Sequence, residues 1–199
     1  MLKGQKTLQK NKFLKSNYIL LLVIFLTIFI ILFFSFFYNY DQKGPVLSGQ
    51  IEKFVFSKKE NNYSNIFWYD LKGNEIKLNE QRGKIVLINF WASWCLPCIR
   101  ELPSINELSA SLDNHEFKSI VINIDKRNRE NSIRMFEDLD LHNLQYFYES
   151  AGYLTSLLKI DVIPTTIIYN KNGDEIGRLV GEANWNSKDV LRFLKFFLE

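Results

Sequence analysis

One apolar segment near the amino terminus cannot be placed on the surface of a soluble domain. From Tyr18 to Tyr38 the chain carries no charged side chain. At about 1.5 Å of rise per residue, a helix of this length crosses a hydrocarbon core of about 30 Å. The run is also too long for an ordinary core helix. The sequence therefore predicts a transmembrane anchor over residues 18–38, preceded by a tail over residues 1–17.

A cleavable signal peptide is the main alternative to an anchor. The apolar region of a signal peptide usually has about 7 to 15 residues and ends in a small-x-small cleavage site. Here the run is longer, and polar residues without such a site follow it, namely Asn39, Tyr40, Asp41 and Gln42. We therefore predict that the anchor is not cleaved.

Charge sets the orientation of the chain and excludes one class of partner. The lysines before the apolar run have no acidic residue among them, and they are Lys3, Lys6, Lys10, Lys12 and Lys15. Positive flanks stay in the cytoplasm, so the rest of the chain should lie in the periplasm or outside a bacterial cell. Removing these five from 25 basic residues leaves 20 against 22 acidic ones, a net charge of about −2. Nucleic-acid binding therefore has no electrostatic support.

The exported part alternates strand and helix patterns. Residues 39–64 read as a juxtamembrane linker with one marginal strand in residues 51–56. Strands are predicted at 67–69, 75–78, 85–91, 119–124, 144–148, 165–169 and 175–179. Helices are predicted from about residue 95 and at 132–139, 151–158 and 187–198. This order predicts an α/β domain over residues 65–199, with a mixed central sheet and helices on both faces.

The cysteines of the chain lie between a predicted buried strand and a predicted helix. Cys95 and Cys98 are its only cysteines, so no other pair exists to form a structural disulfide. Unpaired N–H groups and the dipole at a helix amino terminus lower a thiol pKa, and Ser93 offers a capping oxygen. We predict that Cys95 attacks a substrate disulfide and that Cys98 resolves the mixed disulfide. Pro97 fits the first helical turn, where no amide bond is lost.

Half a zinc site and an inert pair of buried thiols are the structural alternatives for this CxxC. Zinc needs two more ligands, but no second CxxC exists, and His115 and His142 stand alone at unsuitable spacing. Haem attachment requires a histidine directly after the second cysteine, where this chain has Ile99. Redox exchange in an oxidising compartment is the favoured function of the pair.

Three blocks of this sequence resemble the TlpA/ResA/DsbE group of membrane-anchored thioredoxin-like proteins. The first reads Phe90-Trp91-Ala92-Ser93-Trp94-Cys95-x-Pro97-Cys98-x-x-Glu101-x-Pro103. Ile163-Pro164-Thr165-Thr166 is similar to the segment that carries a cis-proline in this group, and residues 181–185 are similar to the G-x-A-x-W segment of its TlpA-like members. The resemblance extends from about Asn65 to the carboxyl terminus. It implies a thioredoxin-like fold in which Pro164 faces the cysteine pair.

The resemblance also implies roles for residues that spacing alone does not single out. It associates Glu101 with proton transfer and thiol pKa control, whereas spacing alone favours a solvated surface glutamate. Asn89 stands where ordinary thioredoxins keep a buried aspartate, and an asparagine cannot relay a proton. The backbone of Ile163 is expected to pair with a substrate segment.

Two tryptophans and a second proline complete the expectations for this region. We predict that Trp91 is a core residue and that Trp94 shields the disulfide and contacts substrates. Pro97 is expected beside Trp94 at the substrate-binding surface, and Pro103 should kink the helix.

The activity implied by the resemblance is reduction of disulfides in exported proteins. Electrons would come from a membrane thiol reductant, and the clients would belong to cytochrome c maturation or copper-oxidase assembly. The only redox group expected is the Cys95–Cys98 pair, without a metal or another cofactor. A general oxidant or isomerase stays open, because the sequence does not fix the reduction potential. A non-redox copper-binding or client-binding module is disfavoured, since related copper chaperones use CxxxC with a distant histidine, and a peroxidase normally uses a differently placed cysteine.

Overall fold

The computed structural model describes residues 21–35, 44–58, 66–112, 115–127 and 129–198. The chain divides into two compact units, Met1–Pro45 and Val46–Glu199. In the first unit, residues 21–35 form a helix, α1, with exposed side chains. No helix among the described residues is both long and apolar enough to cross a membrane. Residues 18–20 and 36–38 of the predicted anchor lie outside the described residues.

The second unit is built on a mixed sheet that, in the described part of the chain, has eight strands. In chain order these are β1 (Val55–Phe56), β2 (Phe67–Tyr69), β3 (Glu75–Lys77), β4 (Ile85–Trp91), β5 (Phe117–Asn123), β6 (Tyr146–Tyr148), β7 (Thr165–Tyr169) and β8 (Glu175–Val180). Their order across the sheet is β1-β8-β7-β4-β5-β6-β2-β3. Strand β4 pairs in parallel with β5 and antiparallel with β7, which makes the sheet mixed.

Helices cover both faces of this sheet, as the sequence predicts. They are α2 (Leu96–Ser111), α3 (Arg129–Asp138), α4 (Tyr153–Leu157) and α5 (Lys188–Leu198). Leu102 of α2 and Phe193 of α5 belong to one buried cluster, whereas Leu154 of α4 belongs to the other. Strands β2 and β3 form an antiparallel hairpin, and so do strands β7 and β8.

Strand β4 is buried along its whole length because it contributes side chains to both clusters. Leu87 and Trp91 belong to the cluster of α2, and Val86 and Ile88 belong to the opposite one. Side chains alternate between the two faces of a strand, so Asn89 shares the face of Leu87 and Trp91. The polar residue of β4 therefore points towards α2.

The start of the domain corrects the predicted linker boundary. The compact unit begins at Val46 and not at residue 65, while residues 59–65 lie outside the described part of the chain. Phe54 is buried, and its ring centroid lies 4.8 Å from that of Phe193. Strand β1 pairs with β8 opposite Gly177, where a Cβ atom would collide with the carbonyl oxygen of Val55. Apolar contacts thus attach this segment to the core.

Substitution of Phe54 tests whether this segment belongs to the domain. Phe54→Ala should lower the free energy of unfolding by about 3–5 kcal/mol, because it removes a buried aromatic ring and leaves a cavity. Val55→Ala is the control, since Val55 is 64% exposed and should cost under about 1 kcal/mol. Urea unfolding of Val46–Glu199, followed by tryptophan fluorescence, measures both. Equal losses in the two variants would show that Phe54 is not part of the core.

Candidate active site

The cysteine pair lies where the central strand ends and the longest helix of the domain begins. Strand β4 ends at Trp91 and α2 starts at Leu96, and Cys95 and Cys98 form a disulfide between them. Cys95 is itself the N-cap residue, because its Sγ accepts a hydrogen bond from the backbone N–H of Cys98 at 3.3 Å. The predicted cap, Ser93, is therefore wrong. Its backbone N–H donates to Oδ2 of Asp125 at 2.9 Å.

Exposure and helix position distinguish the two sulfurs. Cys95 is 5% exposed and Cys98 is 0% exposed, so Cys95 is the cysteine that a substrate can reach. The N–H group of Cys98 and the amino terminus of α2 both favour negative charge on Sγ of Cys95 once the disulfide is reduced. Pro97 lies in the first helical turn, where its missing N–H costs nothing. These features suit Cys95 to nucleophilic attack.

Pro164 lies at the same end of the sheet as the cysteine pair. The Ile163–Pro164 peptide bond is cis, as the resemblance implies. Pro164 directly precedes β7, whose first residue Thr165 pairs with Phe90 near the end of β4. The backbone N–H of Gly181 donates to the Pro164 carbonyl oxygen at 2.8 Å. Pro164 is buried and Ile163 is half-buried, so the cysteine pair, Pro164 and the chain after β8 meet at one edge of the sheet.

Glu101 is buried beside this edge and is not a solvated surface residue. Its side chain is held by three N–H donors from two parts of the chain. Oε1 accepts from Nδ2 of Asn89 at 2.6 Å. Oε2 accepts from the backbone N–H of Ala183 at 3.1 Å and from Nε1 of Trp185 at 3.2 Å. The carboxyl group therefore joins α2 to β4 and to the segment that follows β8.

Burial and hydrogen bonding act on the pKa of Glu101 in opposite directions. Loss of solvation is the largest effect and raises the pKa, and the charge of Glu182 adds to the increase. The hydrogen bonds from Asn89, Ala183 and Trp185 lower it, and the balance of these effects is a pKa of about 7. A carboxyl group with a pKa near neutrality can both take up and release a proton at physiological pH.

Sequence reasoning missed the contacts that hold Glu101. In the sequence, Asn89 stands out only as a departure from ordinary thioredoxins, and Trp185 only as part of a segment similar to that of TlpA-like proteins. Thr166 belongs to the cis-proline block, and its Oγ1 accepts from Nδ2 of Asn89 at 2.9 Å. Ala183 and Trp185 are 82 and 84 positions from Glu101 along the chain, and only the fold brings them together.

The two tryptophans near the disulfide differ in exposure. Trp91 is 0% exposed and packs against Phe136 and Tyr146, so the prediction that it is a core residue is confirmed. Trp94 is 69% exposed. It lines a cleft of about 640 Å³ together with basic residues that include Lys126 and Arg127. The exposed ring is accessible to a protein substrate.

Metal-ligating side chains are not grouped in the part of the chain that the structure describes. Within it, no set of three or more His, Cys, Asp or Glu side chains could hold a metal ion. His142 bonds Asp140 at 3.0 Å, at an exposed position.

Much of this chain is similar in sequence to known proteins. The AhpC/TSA family model matches residues 56–174, which is more than half of the chain. Thiol-disulfide oxidoreductase ResA of Geobacillus kaustophilus is 29% identical over 63% of this chain and 70% of its own length. Thiol-disulfide oxidoreductase ResA of Bacillus cereus is 28% identical over 69% of this chain and 83% of its own length.

The fold is shared with a crystal structure of a protein described as thiol:disulfide interchange protein DsbE from Chlorobium tepidum. The TM-score is 0.63 at 20% identity, over 72% of this chain and 100% of that one. This likeness confirms the thioredoxin-like α/β fold, and the ResA relatives confirm the resemblance on which the expected activity rests. The chain belongs to the AhpC/TSA family and is a thiol:disulfide oxidoreductase with a thioredoxin-like fold.

Proposed function

We propose that this protein reduces disulfides in exported proteins while tethered to the outer face of a bacterial cytoplasmic membrane. The observation that carries the proposal is the disulfide at the start of α2 beside a buried Glu101 with a pKa of about 7. The names of the ResA relatives support the class of reaction. The proposed chemistry uses the cysteine pair as its only redox group.

The first step is attack of the reduced protein on a client. Thiolate Sγ of Cys95 forms a bond to one client sulfur, and the client disulfide breaks to release its other sulfur as a thiolate. The N–H of Cys98 and the helix dipole stabilise the attacking thiolate. The product is a mixed disulfide between Cys95 and the client.

The second step releases the client and needs a base. Sγ of Cys98 attacks Sγ of Cys95, the bond between Cys95 and the client sulfur breaks, and that client sulfur leaves as a thiolate and takes up a proton. Because Cys98 is fully buried, its thiol has to lose its proton without direct access to water. We assign that proton to Glu101, which lies one helical turn further along α2. The client thiolate released in the first step takes its proton from solvent, so the client then holds two thiols and the Cys95–Cys98 disulfide has re-formed. A membrane thiol reductant reduces this disulfide to the dithiol by the same exchange and is itself oxidised to a disulfide.

Substrate contacts are assigned to the surface around Cys95. We assign pairing with an extended client segment to the backbone of Ile163, which precedes the cis-Pro164 bond. Trp94 is 69% exposed and contributes an aromatic contact. Pro97, half-buried between the cysteines, completes this surface. These roles make Ile163, Trp94 and Pro97 substrate-binding residues, and Pro164 part of the catalytic machinery.

Clients in cytochrome c maturation or in copper-oxidase assembly fit this chemistry, because both processes need particular exported cysteines in the reduced state. Similarity of residues 181–185 to the G-x-A-x-W segment of TlpA-like proteins slightly favours copper-oxidase assembly. A general oxidant or isomerase would use the same residues with a different reduction potential. A non-redox copper or client carrier would need no resolving cysteine.

Trapping on Cys95 tests the oxidoreductase and its clients. Cys98→Ser removes the resolving sulfur, so client proteins should accumulate as mixed disulfides on Cys95. The matched control, Cys95→Ser, leaves only the buried Cys98 and should trap none. Non-reducing gels followed by mass spectrometry identify the trapped proteins.

Two results would contradict the proposed reaction. If Cys98→Ser traps no client and the wild-type protein fails to reduce a disulfide substrate, the protein does not act through this exchange. The direction of electron flow is checked by the reduction potential. A value near the roughly −120 mV of DsbA would identify an oxidant, whereas a value near the roughly −270 mV of thioredoxin supports a reductant.

Replacement of Glu101 tests its assignment as the base. Glu101→Gln keeps the shape of the side chain but cannot accept a proton, so the second step should slow by about 100-fold or more at pH 7. The carboxylate predominates above its pKa of about 7, so the wild-type rate should rise with pH through that value, and this rise should be absent in the variant. Stopped-flow measurement of client release in single-turnover reactions records both effects.

Glu107→Gln is the control for that experiment. Glu107 also lies on α2, but it is exposed and accepts a hydrogen bond from Asn186. Its replacement should leave the rate and the pH profile unchanged. The assignment fails if the two glutamine variants have the same profile.

Tethering is tested by fractionation of cells that express the full chain. The uncharged residues 18–38 should retain the protein in membranes after an alkaline carbonate wash. Protease added to spheroplasts should digest Val46–Glu199 and leave residues 1–17 protected. A chain that lacks residues 1–45, exported by an added signal peptide, should appear in the soluble fraction. A mature protein found without its first forty residues would overturn the tether.

A further inference from the structure

Protonation of Glu101 creates a conflict with the groups that hold it. As a carboxylate, the side chain accepts from three N–H groups, those of Asn89, Ala183 and Trp185. As a neutral acid it also carries an O–H donor, which needs an acceptor. A backbone N–H and an indole N–H can only donate. Neither Ala183 N nor Trp185 Nε1 can therefore adapt to the acid.

Asn89 is the one of these partners that also carries an acceptor. Its Oδ1 is buried, and no donor among the described residues lies within hydrogen-bond distance of it. Its Nδ2 lies 2.6 Å from Oε1 of Glu101. Rotation of the amide by half a turn exchanges the two atoms, so that Oδ1 would face the carboxyl group.

We propose that Asn89 is a positioning residue whose side-chain amide reverses when Glu101 changes its protonation state. In the carboxylate state Nδ2 donates to Oε1 of Glu101. In the acid state Oδ1 accepts the carboxyl O–H instead. Asn89 carries no proton itself, and it permits Glu101 to hold either charge state at one position. The inference rests on the proposed role of Glu101 in proton transfer. It adds that Asn89 supplies the hydrogen bond that each charge state of Glu101 requires.

Thr166 permits both orientations of the amide. It lies opposite Asn89 in the pairing of β4 with β7, and its Oγ1 is 2.9 Å from Nδ2 of Asn89. A hydroxyl accepts from an N–H group or donates to a carbonyl oxygen, so it can pair with either atom. In the observed orientation Oδ1 is the amide atom without a partner, and after reversal Nδ2 would occupy its position. The proton on Glu101 therefore decides between the two orientations.

The charged groups around this cluster have to be kept constant in a test. Glu182 acts on Glu101 through its charge, and Arg100 forms a salt bridge with Glu182 at the surface. Cys95 and Cys98 titrate only when they are reduced. In the oxidised protein, Glu101 is the buried group of this cluster that changes charge near pH 7.

NMR of the oxidised full-length chain in detergent micelles tests the reversal directly. At pH 8.5 the side-chain amide protons of Asn89 should show nuclear Overhauser contacts to the β proton and methyl group of Thr166. At pH 5.5 these contacts should be lost. The pH at which half of their intensity is lost should equal the pH midpoint of the chemical-shift change of the Glu101 carboxyl carbon. Exchange of amide protons with water becomes slower as the pH falls. Such exchange therefore does not explain a loss of the nuclear Overhauser contacts at pH 5.5. Contacts that persist at both pH values would overturn the proposal.

Glu101→Gln supplies the matched control, because glutamine imitates the neutral acid at every pH. Its carbonyl oxygen can accept from Ala183 N and Trp185 Nε1, which places its amide nitrogen opposite Asn89. Asn89 should then present Oδ1 at both pH values, and the Thr166 contacts should be missing even at pH 8.5. If this variant keeps the wild-type contacts at pH 8.5, the proposal fails. The NMR results test Asn89 independently of client reduction, which is measured by the rate of the second step.

Discussion

Burial of the Glu101 carboxyl group is the constraint that organises the active end of this domain. An ionisable group out of water is tolerated only when hydrogen bonds replace its solvation. Here the replacement comes from a side chain of β4, a backbone N–H after β8 and an indole N–H two residues later. The helix that carries the cysteines, the central strand and the chain leading to α5 are thereby fixed to one another. The same segment after β8 also bonds the carbonyl oxygen of Pro164 through Gly181.

Two opposing effects set the proton affinity of this carboxyl group. Burial without hydrogen bonds would raise the pKa of Glu101 well above 7. Three hydrogen-bond donors without burial would instead lower its pKa well below 7. Together they hold its pKa at about 7. A base of this strength is close to optimal for proton transfer at neutral pH, because both of its forms are populated. Glu101 lies one helical turn beyond Cys98. The base is therefore close to the cysteine thiol that has less access to water.

The parts of the fold that sequence predicts well are those set by local patterns. Strand β4 is apolar at nearly every position because both faces are covered, and the β7–β8 hairpin follows from its Asn172-Gly173 turn. The burial of Glu101 has no local signal, since Leu102 and Ile105 already account for the buried face of α2. Its partners at Ala183 and Trp185 are more than eighty positions away. Long-range packing determines these contacts, and a single sequence does not display it.

The boundary of the domain escaped prediction for a related reason. Polar residues surround Ile51 and Phe54 in sequence, so the segment is typical of a linker. Both residues nevertheless are buried, and Phe54 packs against Phe193 of the last helix. The first and last elements of the compact unit therefore stabilise each other, although neither has a pattern that identifies its partner.

The helix cap and the nucleophile are the same atom in this fold, and that identity links stability to redox state. Sγ of Cys95 accepts the N–H of Cys98 in place of the hydroxyl or carboxylate oxygen that usually caps a helix. A disulfide sulfur is a weak, neutral acceptor, whereas a thiolate is charged and also interacts with the helix dipole. Reduction therefore strengthens the cap of α2. By linkage, whatever stabilises the thiolate relative to the disulfide raises the reduction potential, so the amino terminus of α2 contributes directly to the direction of electron flow.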